Sequence, residues 1–244
     1  MPEYGRLGQE ILPHTSPAVA PLYPCAPWPL PGARVLKIVY ETDAAPVLEW
    51  LPPRLSRSAP PYAIITVAQY PESPVGPFSL AAQYIGCRAG MFVRAFTHQA
   101  VTDSIAALIA LREVWGFPCM LGDVDLDAGT DRVLATVALD GAPLVEASLM
   151  DAGTIDGDSV RFDPMLNVRA VPSLEEGKQH DLLQILQIDP EVVVKESLRG
   201  AGSIRFPSSS LSAPWHLLPV RNVISCVFCT VDTELPKARF VLPY

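Results

Sequence analysis

The sequence predicts an α+β fold built mainly of antiparallel β-strands. Short runs rich in β-branched and aromatic residues recur from residue 34 to residue 242, divided by Pro- and Gly-containing turns. Only two stretches carry helical signals, a short one over 44–51 and a longer one after Ser104. Hydrophobic residues make up 49% of the 244 positions and charged residues only 18%, which supplies a core and argues against disorder.

In chain order, residues 1–33 hold seven prolines between Pro13 and Pro31, too many for a helix or an interior strand. They are expected to form an irregular segment wrapping the surface of a single domain over 1–244. Arg34–Thr42 reads as the first strand. Asp43 is placed to cap a short helix, Ala44–Leu51, which Pro52-Pro53 ends. Strands follow at Tyr62–Tyr70, Phe78–Gly86 and Met91–Val101. Thr102-Asp103-Ser104 reads as the N-cap of a helix with Ile105, Leu108, Ile109 and Arg112 along one face, and Gly116 then Pro118 stop it. Further strand-like runs lie at 133–139, 143–150, 158–169, 181–188 and 192–197. A Ser-rich loop is expected over 200–214, before final strands at 223–231 and 237–242.

A net charge of −8 and a pI near 5.0 leave no basic face for phosphate neutralisation, so no nucleic-acid partner is expected. The same balance disfavours anionic membrane surfaces. No apolar run approaches the ~18 residues that cross a bilayer, and residues 1–6 lack a signal-peptide layout. The expectation is a soluble cytoplasmic protein. Five scattered cysteines read as reduced thiols. Cys226 and Cys229 have CxxC spacing, but on a strand residues three apart face opposite ways, so no metal site is expected. Of the 18 cations only Lys37, Lys178, Lys195 and Lys237 are lysines.

The segment from Arg112 to Gly122, Arg-Glu-Val-Trp-Gly-Phe-Pro-Cys-Met-Leu-Gly, resembles the helix end of acetoacetate decarboxylases, where Arg-Glu leads through an aromatic-Pro step into Lys-Lys-Leu-Gly. Ser16-Pro-Ala18, Ile38–Asp43, Gly76–Ser79, His98, Asp103, Ala213-Pro214 and Leu218–Val220 resemble other family segments in the same order. The resemblance covers nearly the whole chain. It implies a cone-like, mainly antiparallel β-barrel with a few flanking helices, assembled as a homo-oligomer.

The chemistry-bearing positions depart from that family. Its imine chemistry needs a lysine beside a second lysine, the neighbouring charge and burial keeping the nucleophilic amine neutral. Those positions hold Cys119 and Met120. The family's loop glutamate falls on Leu80, a strand glutamate near Ile65, and an arginine near Ala33, with Arg34 adjacent. Together with Phe78 and Trp115, the residues Cys119, Met120, Leu80 and Ile65 are expected to line an apolar pocket. Lys37 reads as a solvent-facing strand residue and the other three lysines as surface, so a Schiff-base decarboxylase is not expected.

Cys119 has apolar neighbours that would raise its pKa, and it reads as an inert pocket thiol. His98 and Arg94 are four apart on one strand and so share a face, which suggests an acid/base paired with an anion-binding group. Glu113, with Arg112, could close a helix end or reach the pocket. Tyr84 could donate to a carbonyl if it points inward. The function expected is an enzyme without Schiff-base chemistry or cofactor. It would shape a small, apolar, polyketide-like carbonyl substrate for cyclisation, dehydration, isomerisation or a pericyclic step. Two alternatives stay open: an inactive small-molecule-binding protein, and a β-keto acid decarboxylase with a different electron sink.

Overall fold

Strand-forming sequence dominates, and the computed structural model is accordingly a large curled sheet carrying two helices of two turns or more among the residues described, 3–12, 15, 20–129 and 131–244. The elements run β1 (Trp28–Glu41), α1 (Ala44–Trp50), β2 (Ser56–Arg57), β3 (Tyr62–Tyr70), β4 (Phe78–Ala89), β5 (Phe92–Thr102), α2 (Ile105–Trp115) and β6 (Cys119–Leu121). They continue with β7 (Asp123–Ala128), β8 (Arg132–Leu139), β9 (Ala142–Thr154), β10 (Met165–Pro172), β11 (His180–Ile188), β12 (Glu191–Arg205), β13 (Asn222–Leu235) and β14 (Arg239–Pro243). The sheet order is β14-β11-β10-β5-β4-β3-β1-β13-β12-β9-β8-β7, with β2 on β4 and β6 on β5. Neighbours are antiparallel except β10 on β5 and β6 on β5. The sheet curls until β7 packs over β3, β4 and β5, which gives the cone-like form.

Curling gives the central strands two buried faces. Leu36, Ile38, Ile65 and Val67 point into the main core with Val124, Leu126 and Leu149 from the far side of the curl. On the opposite face Ile64, Leu80, Ala82 and Ala100 form a second layer, covered by Ala107, Ala110, Leu111 and Trp115 of α2. Ser104 caps α2, its side chain accepting from the Ala107 amide at 3.3 Å. Gly116 ends the helix at φ +67°, where a side chain would also meet the Val168 carbonyl.

Several sequence expectations change. The first strand begins at Trp28, not Arg34, and includes Pro29 and Pro31. Pairing with β3 reaches only Arg34–Gln69, so this end of β1 has β13 alone as a neighbour and the prolines remove no ladder bond on the free side. Before β1, buried Tyr23 and Ala26 anchor the chain; Ser16-Pro-Ala18 lies outside the described residues. Asp43 makes no cap bond, because its carboxylate takes the Arg221 guanidinium at 2.9 and 2.5 Å. The strand expected over 158–169 starts only at Met165, and β12 runs through Arg205 into the expected loop. Strands β6 and β7 were not anticipated. No helix among the described residues is long and apolar enough to cross a membrane.

Candidate functional site

The period-two alternation of β1, β3 and β4 decides which side chains can meet a ligand. On the second face, opposite the main core, the strands and the segment 162–165 enclose a chamber of about 90 Å³. That is several times the roughly 10–15 Å³ one water needs. The walls are mostly apolar, among them Leu30, Val35, Ile64 and Ala68. Lys37, Asp163, Thr66, Tyr70, Tyr84 and Thr233 supply its polar groups.

Lys37 corrects the sequence reading. It is not solvent-facing: only 8% of it is exposed. Both faces of β1 are covered, and the side chain reaches the 160–163 segment instead of water. Its Nζ donates to the Arg161 carbonyl oxygen and lies 5.1 Å from the centre of the Phe162 ring. Burial lowers its pKa from the usual lysine value, and the nearby Asp163 charge opposes that shift. Lys37 is the one cation among the described residues lining the chamber. Tyr84 is buried, its phenol pushed up to about 12 by desolvation, with a hydrogen bond from Thr66 acting against this. It is therefore a proton donor at neutral pH.

His98 and Arg94 do not form the expected pair. His98 is the extra residue of a β-bulge, since Gln83 faces Gln99 while Tyr84 faces Thr97. It enters the main core, away from the chamber, against the Trp50 ring at 4.7 Å. Its Nδ1 lies 2.7 Å from Gln83 Oε1. Gln83 Nε2 donates to Tyr40 Oη and to the Trp215 carbonyl, so Oε1 is an acceptor and His98 Nδ1 carries the proton. Burial lowers the His98 pKa to about 4, which keeps the ring neutral. Arg94 lies about 13 Å further along the strand. There its Nε donates to Gln187 Oε1 at 2.9 Å, and its guanidinium stacks on Phe92.

The remaining candidates divide by face. Ile65 points into the main core; its neighbour Thr66 takes the chamber side. Met120 also packs against the main core. Leu80, Phe78, Trp115 and Cys119 belong to the second layer, which Ile64, Leu30 and Tyr84 share with the chamber wall, but none of the four borders the chamber. Cys119 is buried, and desolvation raises its thiol pKa to about 12 despite the nearby Arg112 charge. Arg112 donates to the Cys119 carbonyl oxygen at 2.8 Å. Glu113 accepts from the Tyr23 hydroxyl at 2.5 Å and so ties the N-terminal segment to α2. Ala33 does not border the chamber but belongs to an apolar cluster with Cys229, Val35 and Ala68, the last two of which also form chamber wall, whereas Cys226 faces the main core. Among the described residues no group of three or more His, Cys, Asp or Glu could hold a metal ion.

Sequence reasoning missed Lys37, Asp163 and Thr66. One cross-sheet row joins the missed amine to the expected site: Lys37 pairs with Thr66, Thr66 with Ala82, Ala82 with Ala100, and Ala100 with Cys119. Directly opposed residues share a face, so Lys37 and Cys119 look onto the same layer, four strands or about 19 Å apart.

Comparisons with known proteins agree with this architecture. The family described as acetoacetate decarboxylase (ADC) matches residues 12–244. Decarboxylase DEC1 of Cochliobolus heterostrophus is 26% identical over 237 residues, covering 92% of each chain. The acetoacetate decarboxylase of Clostridium acetobutylicum is 22% identical over 236 residues, covering 94% of this chain and 95% of its own. Among solved structures, acetoacetate decarboxylase from Legionella pneumophila superposes with a TM-score of 0.85 at 22% identity, covering 91% of this chain and 90% of its own. The enduracididine biosynthesis enzyme MppR gives a TM-score of 0.80 at 17% identity, covering 95% of each.

Proposed function

Because this chain belongs to the acetoacetate decarboxylase family yet carries Cys119 and Met120 where the family's lysine pair is expected, we propose that it is an enzyme acting on a neutral, largely apolar carbonyl compound. The observation that carries this is the chamber's lining: Leu30, Val35, Ile64 and Ala68 among its apolar walls, with a single amine, a single carboxylate and the hydroxyls of Thr66, Tyr70, Tyr84 and Thr233. A β-keto acid would bring its own carboxylate beside Asp163, with Ala33 in place of the expected arginine and only Lys37 to offset two negative charges. A neutral aldehyde or ketone avoids that cost. Protonated Tyr84 can donate to its carbonyl oxygen, and the apolar walls hold the adjoining carbons in a fixed pose.

The chemistry this suits is cyclisation, dehydration or isomerisation next to a carbonyl, with the remainder of a longer, polyketide-like chain leaving through the open side. The fold has a precedent for carbonyl condensation: the enduracididine enzyme is described in complex with the condensation product of pyruvate and imidazole 4-carboxaldehyde.

The test is exchange of α-protons in D2O followed by NMR, using 2-heptanone as the neutral probe and acetoacetate as the keto-acid control. The expected result is enzyme-dependent deuterium incorporation into 2-heptanone, abolished in Ala68→Trp, which fills the chamber. Catalysed CO2 release from acetoacetate, or no exchange above buffer, would overturn the reading.

A further inference from the structure

We propose that Lys37 is a covalent amine site of this chamber, condensing with a neutral aldehyde or ketone to form an imine at a position the family's lysine pair does not occupy. This rests on the reading of the chamber as a carbonyl site. An amine nucleophile must be uncharged, within reach of the ligand, and beside a group that can move a proton. Lys37 is buried and borders the cavity, so water does not stabilise its ammonium form. Its Nζ is held by the Arg161 carbonyl and the Phe162 ring, contacts that fix the nitrogen at the cavity edge. Asp163 lines the same cavity.

The step balances without a further reactant. The amine lone pair attacks the carbonyl carbon and forms the C–N bond. The carbonyl π electrons move to oxygen, which takes a proton as the nitrogen loses one, Asp163 carrying it between them. The resulting carbinolamine then expels its hydroxyl as water, the oxygen taking the remaining N–H proton by way of Asp163 while the nitrogen's electron pair forms the C=N bond, to leave the imine. Hydrolysis by the reverse path frees the product. The imine nitrogen, once protonated, faces the Asp163 carboxylate and the Phe162 ring, two groups that favour a cation. It also withdraws electrons from the α-carbon, which is what exchange, dehydration and isomerisation need.

The probe is 2,4-pentanedione, a neutral β-diketone whose adduct with an amine is a stable conjugated enaminone. Intact-protein mass spectrometry is expected to find one adduct, a diketone minus one water, and peptide mapping to place it on Lys37. Labelling is expected to be faster than at exposed Lys195 near pH 7.5, since a lowered pKa leaves more of the amine neutral. Lys37→Arg keeps a cation but has no nucleophile, and Lys37→Met keeps the stem. Both are expected to lose the adduct, with melting temperature recorded to confirm that they fold.

Diketone binding, read as a thermal shift lost in Ala68→Trp, separates the two layers of the argument. Binding without an adduct on Lys37 would overturn the amine site and leave the carbonyl chamber standing. An adduct confined to Lys178, Lys195 or Lys237, or persisting in Lys37→Arg, would also overturn it. Neither binding nor adduct would remove both.

Discussion

Lowering the pH from about 7.5 to about 5 is expected to cost about 2 kcal/mol of folding stability through His98 alone. In the folded chain the imidazole pKa is lowered to about 4 from 6.5, because the ring is buried against Trp50 with no charge nearby to hold a proton. The unfolded chain therefore binds the proton first as pH falls. Between the two values ν is larger for the unfolded state, so stability rises with pH there and is lost on descending through it. At about pH 5 the unfolded ring is almost wholly protonated while the folded ring is about nine-tenths neutral, which gives the 2 kcal/mol; near pH 4 the loss approaches about 3 kcal/mol at 1.36 kcal/mol per pH unit. The assay is urea unfolding followed by tryptophan fluorescence, since Trp28, Trp115 and Trp215 are fully buried. Wild type is compared with His98→Asn at one fixed protein concentration, because self-association would shift apparent stability. Asn keeps a donor toward Gln83 Oε1 and removes the titration. Its smaller side chain costs a constant amount at every pH, and carboxylates titrating elsewhere cancel in the difference. Two stability curves that stay parallel from pH 7.5 to 5 would refute the burial account of His98. His98→Asn is also expected to leave α-proton exchange on 2-heptanone unchanged.

A thiol reagent applied to the folded protein is expected to modify exposed Cys25 first. Cys87, Cys119 and Cys226 have thiols pushed up to about 12 by burial, Cys229 to about 11, and all four should wait for unfolding. Labelling of Cys119 at a rate near that of Cys25 would show it to be a reactive group after all. Asp163→Asn removes the charge that raises the Lys37 pKa. The pH profile of diketone labelling should then move to lower pH, and a move to higher pH would contradict the electrostatic account.

Most strands were legible because their runs are long and bounded by turns, and α2 because Ser104 and Gly116 mark its ends. What failed was the assignment of faces. Lys37 reads from the sequence as a solvent-facing strand residue and is buried. Val35, Leu36, Ile38, Val39 and Tyr40 surround it without polar alternation, which is the pattern of a strand buried on both sides. Any residue inside such a run is covered, charged or not. The family resemblance places its strand glutamate only near Ile65, and a one-residue slip moves a side chain through the sheet. The pairing of His98 with Arg94 took no account of a bulge, which no local sequence signal marks. Strand β7 had a clear signal that went unread: Asp123, Asp125 and Asp127 alternate with Val124 and Leu126, and the two apolar residues are the buried ones.

The framework and the chemistry of this fold answer to different demands, and the sequence separates them. Gly116, Ser104 and the Asp43–Arg221 pair serve backbone geometry, a helix end and a surface junction, whatever the ligand. They can persist while the ligand changes. Chemistry-bearing positions answer to charge, and charges in a low-dielectric layer cannot be exchanged singly. The resemblance places an arginine near Ala33; without one a carboxylate ligand would lack a partner there, and glutamates and lysines working on such a ligand would lose their use together. Leucine at 80 and cysteine at 119 then fill the layer at no electrostatic cost. One amine can remain in it only where a carbonyl, an aromatic ring and a single carboxylate temper its burial. Arg161, Phe162 and Asp163 supply those three groups around Lys37. The compartment thereby holds one amine and one carboxylate, and the neutral ligand proposed for it would bring no further charge.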